Sequence, residues 1–79
     1  MKHTLLFLLQ SIVEHPEDVR VDETRDEARV LLTINVHSED TGRVIGKSGR
    51  IIKALRDLVK LMATRENTYV DVVLAEETK

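Results

Sequence analysis

Two glycines three positions apart, Gly46 and Gly49, divide the second half of the chain into a short helical segment and a long one. Apolar spacing predicts a helix over about 39–45 and another from near Gly49 to about residue 64. Glycine lets the backbone turn sharply here and lets a ligand approach it closely. The second helix also presents free N–H groups and the positive end of its dipole at the same turn. From the glycines alone, the simplest interpretation is a helix–helix connection whose tip is solvated.

Patterning before this turn predicts one helix and two strands. Apolar residues at helical spacing indicate a helix over 3–14, and Pro16 ends it because the residue before a proline is pushed away from helical geometry. Alternation of apolar and polar residues predicts an exposed edge strand over 18–24 and a second strand over 28–36. The polar residues 25–27 between these strands favour an antiparallel hairpin.

Further local signals complete the set of elements. Ser38 is typical of a helix N-cap, and Glu39 and Asp40 follow it in the first turn, where the helix dipole favours acidic residues. Asn67 suits the turn after the long helix, and the alternating residues 69–74 predict a last strand. The long helix is predicted to bury one apolar stripe, which consists of Ile51, Ile52, Leu55, Leu58, Val59 and Met62.

The elements follow the order α-β-β-α-α-β, which predicts an α+β fold with a three-stranded mixed sheet and three helices on one face. A helical crossover joins the last two strands, so they should be parallel if they are adjacent. The length allows one domain over 1–79, with a core from about residue 3 to residue 75 and a tail over 76–79. The other face of the sheet is predicted to be solvent surface, with Arg20, Asp22, Arg29, Thr33, Asn35 and Asp71.

The composition excludes several classes of protein. The chain has no cysteine, which excludes a disulfide framework, a thiolate metal site and a cysteine nucleophile. Phe7 and Tyr69 are the only aromatic residues, too few for a platform of stacked rings. His3, His15 and His37 are far apart and show no metal-ligand spacing, and the carboxylates form no obvious catalytic pair. We therefore expect no catalytic residues, no metal and no cofactor.

The charge of the chain is unevenly distributed. The net charge is −2, but the segment 43–65 contains seven basic residues and a single acidic one, Asp57, which gives it a charge of +6. The rest of the chain carries −8. This excess is almost unpaired within the long helix and lies beside the two glycines, so it is a candidate electrostatic surface for an anionic partner. A solvated helix face is the alternative that charge alone leaves open.

A nucleotide-hydrolase loop is a further possibility for this region. The segment from Gly42 to Ser48 resembles a phosphate-binding loop, but that motif requires four residues between its glycines and only three lie between Gly42 and Gly46. A strand should also precede such a loop, whereas 41–45 is predicted to be helical. We therefore do not expect nucleotide hydrolysis.

The segment Val44-Ile45-Gly46-Lys47-Ser48-Gly49-Arg50-Ile51-Ile52 resembles the signature of the KH domain, in which Ile-Gly-x-x-Gly joins two helices. The order α-β-β-α-α-β matches the bacterial, type II variant. More narrowly, His15-Pro16-Glu17-Asp18-Val19 and Lys53-Ala54-Leu55-Arg56 are similar to segments of the small single-domain bacterial KH proteins of the KhpA family. The resemblance covers nearly the whole chain, and it implies a loop that clamps about four nucleotides of single-stranded RNA or DNA.

The resemblance also implies roles for individual residues. Lys47 and Ser48 would meet the phosphates, and the sugar-phosphate backbone of the RNA would pack on Gly46 and Gly49. Val44, Ile45 and Ile52 would form the floor of an apolar groove under the bases, with strand residues near Ile34 and Val36 as its other wall. Arg43, Arg50 and Lys53 would add positive charge. The candidate RNA-binding residues are Gly46, Lys47, Ser48, Gly49, Arg43, Val44, Ile45, Arg50, Ile52 and Lys53. Ile34 and Val36 are better explained as buried core, Ile52 is equally well explained by either role, and Ile45 is the favoured groove residue.

The partners and setting are also implied by the resemblance. It implies a cytoplasmic RNA chaperone or post-transcriptional regulator connected to cell elongation and envelope homeostasis. Its partners would be single-stranded RNA and either a second copy of the chain or a KhpB-type protein with KH and R3H domains, because one domain that covers few nucleotides gains from a second. No targeting segment, membrane span or small-molecule substrate is predicted. The alternative is a protein-interaction module in which the fold serves dimerisation.

Overall fold

The computed structural model describes residues 1–75, so the expected tail over 76–79 lies outside the described residues. The helices are α1 (Lys2–Ile12), α2 (Thr41–Ile45) and α3 (Arg50–Arg65), and the strands are β1 (Arg20–Asp26), β2 (Arg29–Asn35) and β3 (Tyr69–Leu74). Short 3₁₀ turns occupy Pro16–Asp18, Ser38–Asp40 and Lys47–Gly49. This order confirms the predicted α+β arrangement. None of the helices within residues 1–75 combines the length and apolarity that a membrane crossing requires.

The strands form one mixed sheet in the order β1-β2-β3. Strands β1 and β2 pair antiparallel, from Arg20 opposite Asn35 to Asp26 opposite Arg29. Strand β3 pairs parallel to β2, beginning with Tyr69 opposite Arg29. The predicted hairpin, the edge position of β1 and the parallel crossover are therefore confirmed. Strand β1 begins and ends two residues later than predicted, because Pro16–Asp18 forms a 3₁₀ turn, and β2 is one residue shorter at each end. The hairpin turn falls at Glu27, whose φ of 54° is left-handed.

A single aliphatic core lies between the sheet and the helices. Alternate strand residues face it, which confirms the period-two pattern read from the sequence. Arg20, Asp22, Arg29 and Asp71 on the opposite face are exposed as predicted, while Thr33 and Asn35 are half-buried. The buried hydrophobic side chains are Leu5, Leu9, Val21, Val30, Leu32, Ile34, Val44, Leu55, Val59, Ala63, Val70 and Val72.

Helix α3 buries a narrower stripe than its sequence predicts. Ile51 and Leu58 are 38% and 39% exposed, whereas Leu55, Val59 and the unpredicted Ala63 are buried. The apolar face of α3 is wider than the strip of sheet on which the helix packs. The small side chain of Ala63 is therefore buried against the sheet, whereas Ile51 and Leu58, at the outer edge of the predicted stripe, remain in solvent. The prediction that Ile51 and Leu58 belong to the core is therefore wrong.

The start of the second helical segment also differs from the prediction. The helical backbone begins one residue early, as a 3₁₀ turn at Ser38, so the residue in the capping position is His37. Its Nδ1 accepts a hydrogen bond from the backbone N–H of Glu39 at 3.0 Å. The assignment of Ser38 as the N-cap is therefore wrong, and the imidazole satisfies the free amide in its place.

Candidate nucleic-acid interface

The turn between α2 and α3 has a left-handed backbone at several of its positions. Gly46 has φ 78° and ψ 174°, Ser48 has φ 57° and ψ 26°, and Gly49 has φ 74° and ψ 17°. The Gly46 N–H donates to the carbonyl of Gly42 at 2.8 Å and closes α2, and the Gly49 N–H donates to Gly46 at 3.1 Å. The chain therefore leaves one helix and enters the next within four residues, and the turn is compact and internally hydrogen-bonded.

The two glycines of the turn are required for different reasons. A Cβ on Gly46 would lie 2.6 Å from Cγ1 and 2.8 Å from Cβ of Ile51, which is closer than nonbonded carbon atoms can approach. A Cβ on Gly49 would meet nothing within 4 Å. Gly46 also combines its positive φ with an extended ψ, a region that essentially only glycine occupies. Gly46 therefore fixes the shape of the turn, while Gly49 satisfies only the left-handed backbone.

The tip of the turn presents hydrogen-bond donors to solvent. The first N–H groups of a helical turn have no partner within that turn, which applies to the amides of Lys47 and Ser48 at the start of the 3₁₀ turn Lys47–Gly49. Both side chains are exposed. Successive backbone amides near a left-handed residue form a concave donor site that suits an anion. The turn can therefore donate several hydrogen bonds to one phosphate group.

The basic side chains around the turn are not equivalent. Lys47 and Arg50 are exposed and form no ion pair within residues 1–75. Lys53 Nζ lies 3.0 Å from Asp57 Oδ2, in a pair whose members are both exposed. Such an exposed ion pair contributes little to stability, so Lys53 can readily exchange Asp57 for another anion. Lys47, Arg50 and Lys53 thus remain available to an anionic ligand.

Arg43 is engaged elsewhere, in contrast to the interpretation of the basic segment as almost unpaired. Its Nη2 donates to Glu14 Oε2 at 2.8 Å, and its Nε lies 3.8 Å from Asp40 Oδ1. Both partners are acidic residues from outside the segment 43–65, which is why the charge of that segment alone does not show them. Arg56 is also used structurally, since its Nε donates to the Val72 carbonyl at 3.1 Å and ties α3 to β3.

The aliphatic candidates divide into core and surface. Ile34 is 0% exposed, which confirms the favoured interpretation of this residue as core. Val44 is also 0% exposed, so its side chain lines no groove open to a ligand and its predicted place there is wrong. Val44 instead packs in the core directly beneath the turn. Ile45, Ile52 and Val36 are half-buried and remain candidates for an apolar contact surface.

Asp40 stabilises the junction between the segment after α1 and the start of α2, which leads into the turn. Its side chain is 1% exposed, and its two oxygens accept hydrogen bonds from the backbone N–H groups of Glu14 and His15, each at 3.0 Å. Burial would raise the pKa of Asp40, but these two donors and the nearby charges of His15 and Arg43 outweigh it, so the pKa lies below its usual value. Asp40 therefore stays ionised and fastens the segment after α1 to the start of α2. The sequence shows only a favourable acid in a first helical turn.

The structure brings together two histidines that the sequence treats as separate. The rings of His15 and His37 are stacked, with centroids 4.1 Å apart and planes at 20°. His15 Nε2 lies 3.1 Å from Glu39 Oε1. This hydrogen bond to Glu39 raises the pKa of His15, burial acts against it, and the negative charges of Asp40, Glu39 and Glu17 add to the increase. His15 and His37 are 22 positions apart in the sequence, so their contact depends on the tertiary fold and no local pattern predicts it.

Comparison with known proteins gives a consistent result. The family model described as "KhpA/KhpB, KH domain" matches residues 2–74. A protein of Clostridium perfringens named RNA-binding protein KhpA is 46% identical over 72 residues, which cover 91% of this chain and 96% of the relative. A Chlamydia pneumoniae protein of the same name is 36% identical over 77 residues, covering 98% of this chain and 99% of the relative.

Another protein named RNA-binding protein KhpA, from Leifsonia xyli, is 46% identical over 69 residues, which cover 87% of this chain and 91% of the relative. No solved structure shows significant similarity to the chain. The order of elements, the turn between α2 and α3, and relatives that match over almost their full length lead to one assignment. The chain belongs to the KhpA/KhpB family of KH domains.

Proposed function

We propose that this protein binds single-stranded RNA through the turn Gly46–Gly49 and the side chains around it. The observation that carries the proposal is the turn itself, a left-handed connection between two helices that exposes backbone donors beside Lys47 and Arg50. The relatives named RNA-binding protein support the choice of ligand. A role as a non-catalytic binding protein fits this family, whose members are named for binding RNA.

Each part of the surface has a place in the proposed mode of binding. The sugar-phosphate backbone passes over Gly46 and Gly49, and the amides at the tip, with Lys47 and the Ser48 hydroxyl, donate to phosphate oxygens. Arg50 and Lys53 add charge along the same path. The bases lie on the half-buried aliphatic side chains Ile45, Ile52 and Val36. This mode needs no stacked aromatic rings, in keeping with an aromatic content of 3%.

The unequal pairing of the basic residues gives a direct test of this mode. We expect Arg50→Gln to weaken binding to a single-stranded RNA roughly three- to tenfold, because it removes a free cation from the phosphate path. The slope of log affinity against log salt concentration should decrease in magnitude by about 1. Fluorescence anisotropy with a labelled oligonucleotide between about 50 and 200 mM salt measures both quantities.

Arg43→Gln is the matched control for Arg50→Gln because it removes the same charge from a side chain already paired with Glu14. It should reduce affinity by less than about twofold and leave the salt slope nearly unchanged, since an offset charge releases few counterions. Equal effects of the two substitutions would contradict the proposed path. An affinity independent of salt would contradict phosphate binding as a whole.

We further propose that two copies of the chain associate through the outer face of α3. Ile51, Ala54, Leu58 and Leu61 are exposed and follow one another at spacings of three or four residues, and Leu61 is 63% exposed. This second stripe is separate from the buried stripe of the same helix and has the spacing by which two helices pack together. Association would pair two RNA-binding turns and raise the affinity for longer RNA by avidity.

Leu61→Glu should convert a dimer to a monomer, because it places a charge within the proposed helix–helix contact, at its most exposed apolar side chain. Sedimentation equilibrium measures the change, and circular dichroism should remain unchanged because the side chain lies outside the core. Glu66→Gln, at an exposed position just beyond α3, is a control that should leave the oligomeric state unchanged. A wild-type protein that stays monomeric at high concentration, or a Leu61→Glu variant that still dimerises, would contradict this part of the proposal.

The wider biological role is proposed from the family resemblance. It comprises action in the cytoplasm as an RNA chaperone or post-transcriptional regulator, partnership with a KhpB-type protein, and a connection to cell elongation and envelope homeostasis. The exposed stripe on α3 also supports the alternative of a protein-interaction module. A protein that dimerises but binds no single-stranded RNA would favour that alternative.

A further inference from the structure

One group of potential metal ligands lies away from the turn, where the segment after α1 meets the segment after β2. It consists of His15, His37 and Glu39, whose ligand atoms all lie within 4.8 Å of one another. The two imidazoles are half-buried and the carboxylate is exposed, so an ion can reach the group from solvent. Two imidazoles and a carboxylate are a frequent ligand set for zinc in proteins.

We propose that His15, His37 and Glu39 form a binding site for Zn²⁺, with water completing the coordination.

One pair of ligand atoms already has the separation that zinc requires. Two ligands of a tetrahedral zinc ion, with bonds of about 2.0–2.2 Å, lie roughly 3.3 Å apart. His15 Nε2 and Glu39 Oε1 are already 3.1 Å apart. The rings of His15 and His37 are stacked with their planes at 20°, so the nitrogen lone pairs in those planes do not meet at one point. His37 therefore has to leave the stack by a rotation of its side chain, which its half-exposed position allows. The bound ion would then lie between the two imidazole nitrogens and the carboxylate.

The hydrogen bonding of His37 indicates which of its nitrogens would bind the ion. Its Nδ1 accepts a hydrogen bond from the Glu39 N–H at 3.0 Å, so this nitrogen already presents its lone pair to the segment that carries the Glu39 carboxylate. Binding of zinc at Nδ1 would replace that hydrogen bond by a coordinate bond.

A carboxylate beyond the three ligands would orient His15. Its Nδ1 lies 3.9 Å from Glu17 Oε2, on the side of the ring away from Glu39. Histidine ligands generally donate their second ring N–H to a carboxylate or carbonyl, which fixes the tautomer and makes the metal-binding nitrogen more basic. Glu17 can serve in this way while Nε2 faces the metal. The buried carboxylate of Asp40, held at the backbone of Glu14 and His15, adds negative charge nearby.

Zinc at this position would link two segments that are distant in sequence. His15 follows α1, and His37 and Glu39 lie between β2 and α2, so the ion would cross-link the same junction that Asp40 fastens through hydrogen bonds. A ligand that binds the folded chain in preference to the unfolded one raises the unfolding temperature. The expected consequence of binding is therefore a more stable fold, independent of RNA.

Isothermal titration of untagged protein with ZnCl₂ at a pH of about 7.5 tests the site, together with thermal unfolding with zinc or with a chelator. A mildly alkaline pH is chosen because metal binding releases protons from its ligands. We expect one zinc ion per chain and an unfolding temperature that rises with zinc. His15→Gln and His37→Asn should each lower the affinity at least tenfold and remove the thermal shift. Asparagine keeps a capping acceptor for the Glu39 amide. Glu17→Gln should weaken binding roughly tenfold.

His3→Gln is the matched control, because His3 is exposed on α1, away from the group. It should leave zinc binding unchanged. No binding by the wild-type protein, binding that persists in both His15→Gln and His37→Asn, or loss of binding in His3→Gln would each overturn the proposal. Circular dichroism of every variant without zinc shows whether its fold is intact, and Glu39→Gln supplies an independent variant if one of the histidine substitutions perturbs the fold.

Discussion

Replacing Lys47 and Ser48 together by aspartate is expected to abolish RNA binding and leave the fold intact. Both side chains are exposed at the tip of the turn, and aspartate tolerates the left-handed backbone that Ser48 adopts with φ 57°. The substitution removes a cation and a hydroxyl donor and places two carboxylates against the phosphates. Two charge-assisted contacts of about 1.5–3 kcal/mol each correspond to a loss of affinity on the order of a hundredfold or more.

The matched control for this variant carries the same change in net charge at the other end of α3. Thr64→Glu with Arg65→Glu alters exposed positions about 22 Å from the turn, given a rise of about 1.5 Å per residue. Crosslinking to RNA should be lost in the turn variant and largely retained in the control, while both keep their circular dichroism and oligomeric state. Crosslinking that persists in the turn variant would show that RNA binds elsewhere.

The second large effect is expected at Gly46. Gly46→Ala forces a side chain into a backbone region reserved for glycine and places its Cβ 2.6 Å from Ile51 Cγ1. Backbone strain costs about 1–3 kcal/mol and overpacking costs a similar amount, so the free energy of unfolding should fall by about 3 kcal/mol or more. Urea denaturation measures this loss, which is a large fraction of the total stability of a small domain.

Gly49→Ala provides the control within the same turn. Its φ of 74° is also unfavourable for alanine, but its Cβ would contact nothing within 4 Å, so we expect a loss of only about 1 kcal/mol. Adding Gly46→Ala to an Ile51→Gly background separates the two causes, because it removes all three Ile51 atoms near the new Cβ and keeps the backbone strain at Gly46. Equal destabilisation by Gly46→Ala and Gly49→Ala would contradict the role assigned to Ile51.

The architecture could be predicted from the sequence wherever one local pattern determined the structure. Strand β3 was predicted over 69–74 and is observed over Tyr69–Leu74, because alternation, a preceding turn at Asn67 and the end of a long helix all agree. The parallel pairing of β2 and β3 followed from the helical crossover between them. Helix α3 shows the limit of periodicity, since the spacing of its apolar residues cannot tell which of two adjacent stripes packs on the sheet.

The candidate site was predictable in its turn but not in its surroundings. The spacing of Gly46 and Gly49 locates the turn, and its left-handed backbone is observed. The pairing of Arg43 with Glu14, and the hydrogen bonds from Glu14 and His15 to Asp40, join residues more than 20 positions apart. The stacking of His15 on His37 is of the same kind. Such contacts depend on how α1 packs beside α2, which no local pattern encodes.

The distribution of charge acquires a structural meaning from these contacts. Arg43 is offset by Glu14, Lys53 is in exchangeable contact with Asp57, and Arg56 supports the β3 backbone. Beside the turn, the positive charge that stays unpaired is therefore that of Lys47 and Arg50, while Lys60 and Arg65 lie further along α3. Lys47 and Arg50 are the two residues on which the proposed RNA binding depends most.

The most direct test of the central claim is an NMR titration of the ¹⁵N-labelled protein with a short single-stranded RNA. We expect the largest shifts in the amides of Gly46–Lys53, smaller shifts near Val36, and little change on the solvent face of the sheet. Added salt should lower the fraction of protein bound at a given RNA concentration, because contacts to phosphates weaken as the salt concentration rises. Shifts centred on the solvent face of the sheet or on the outer face of α3, with the amides of Gly46–Gly49 unmoved, would contradict the account.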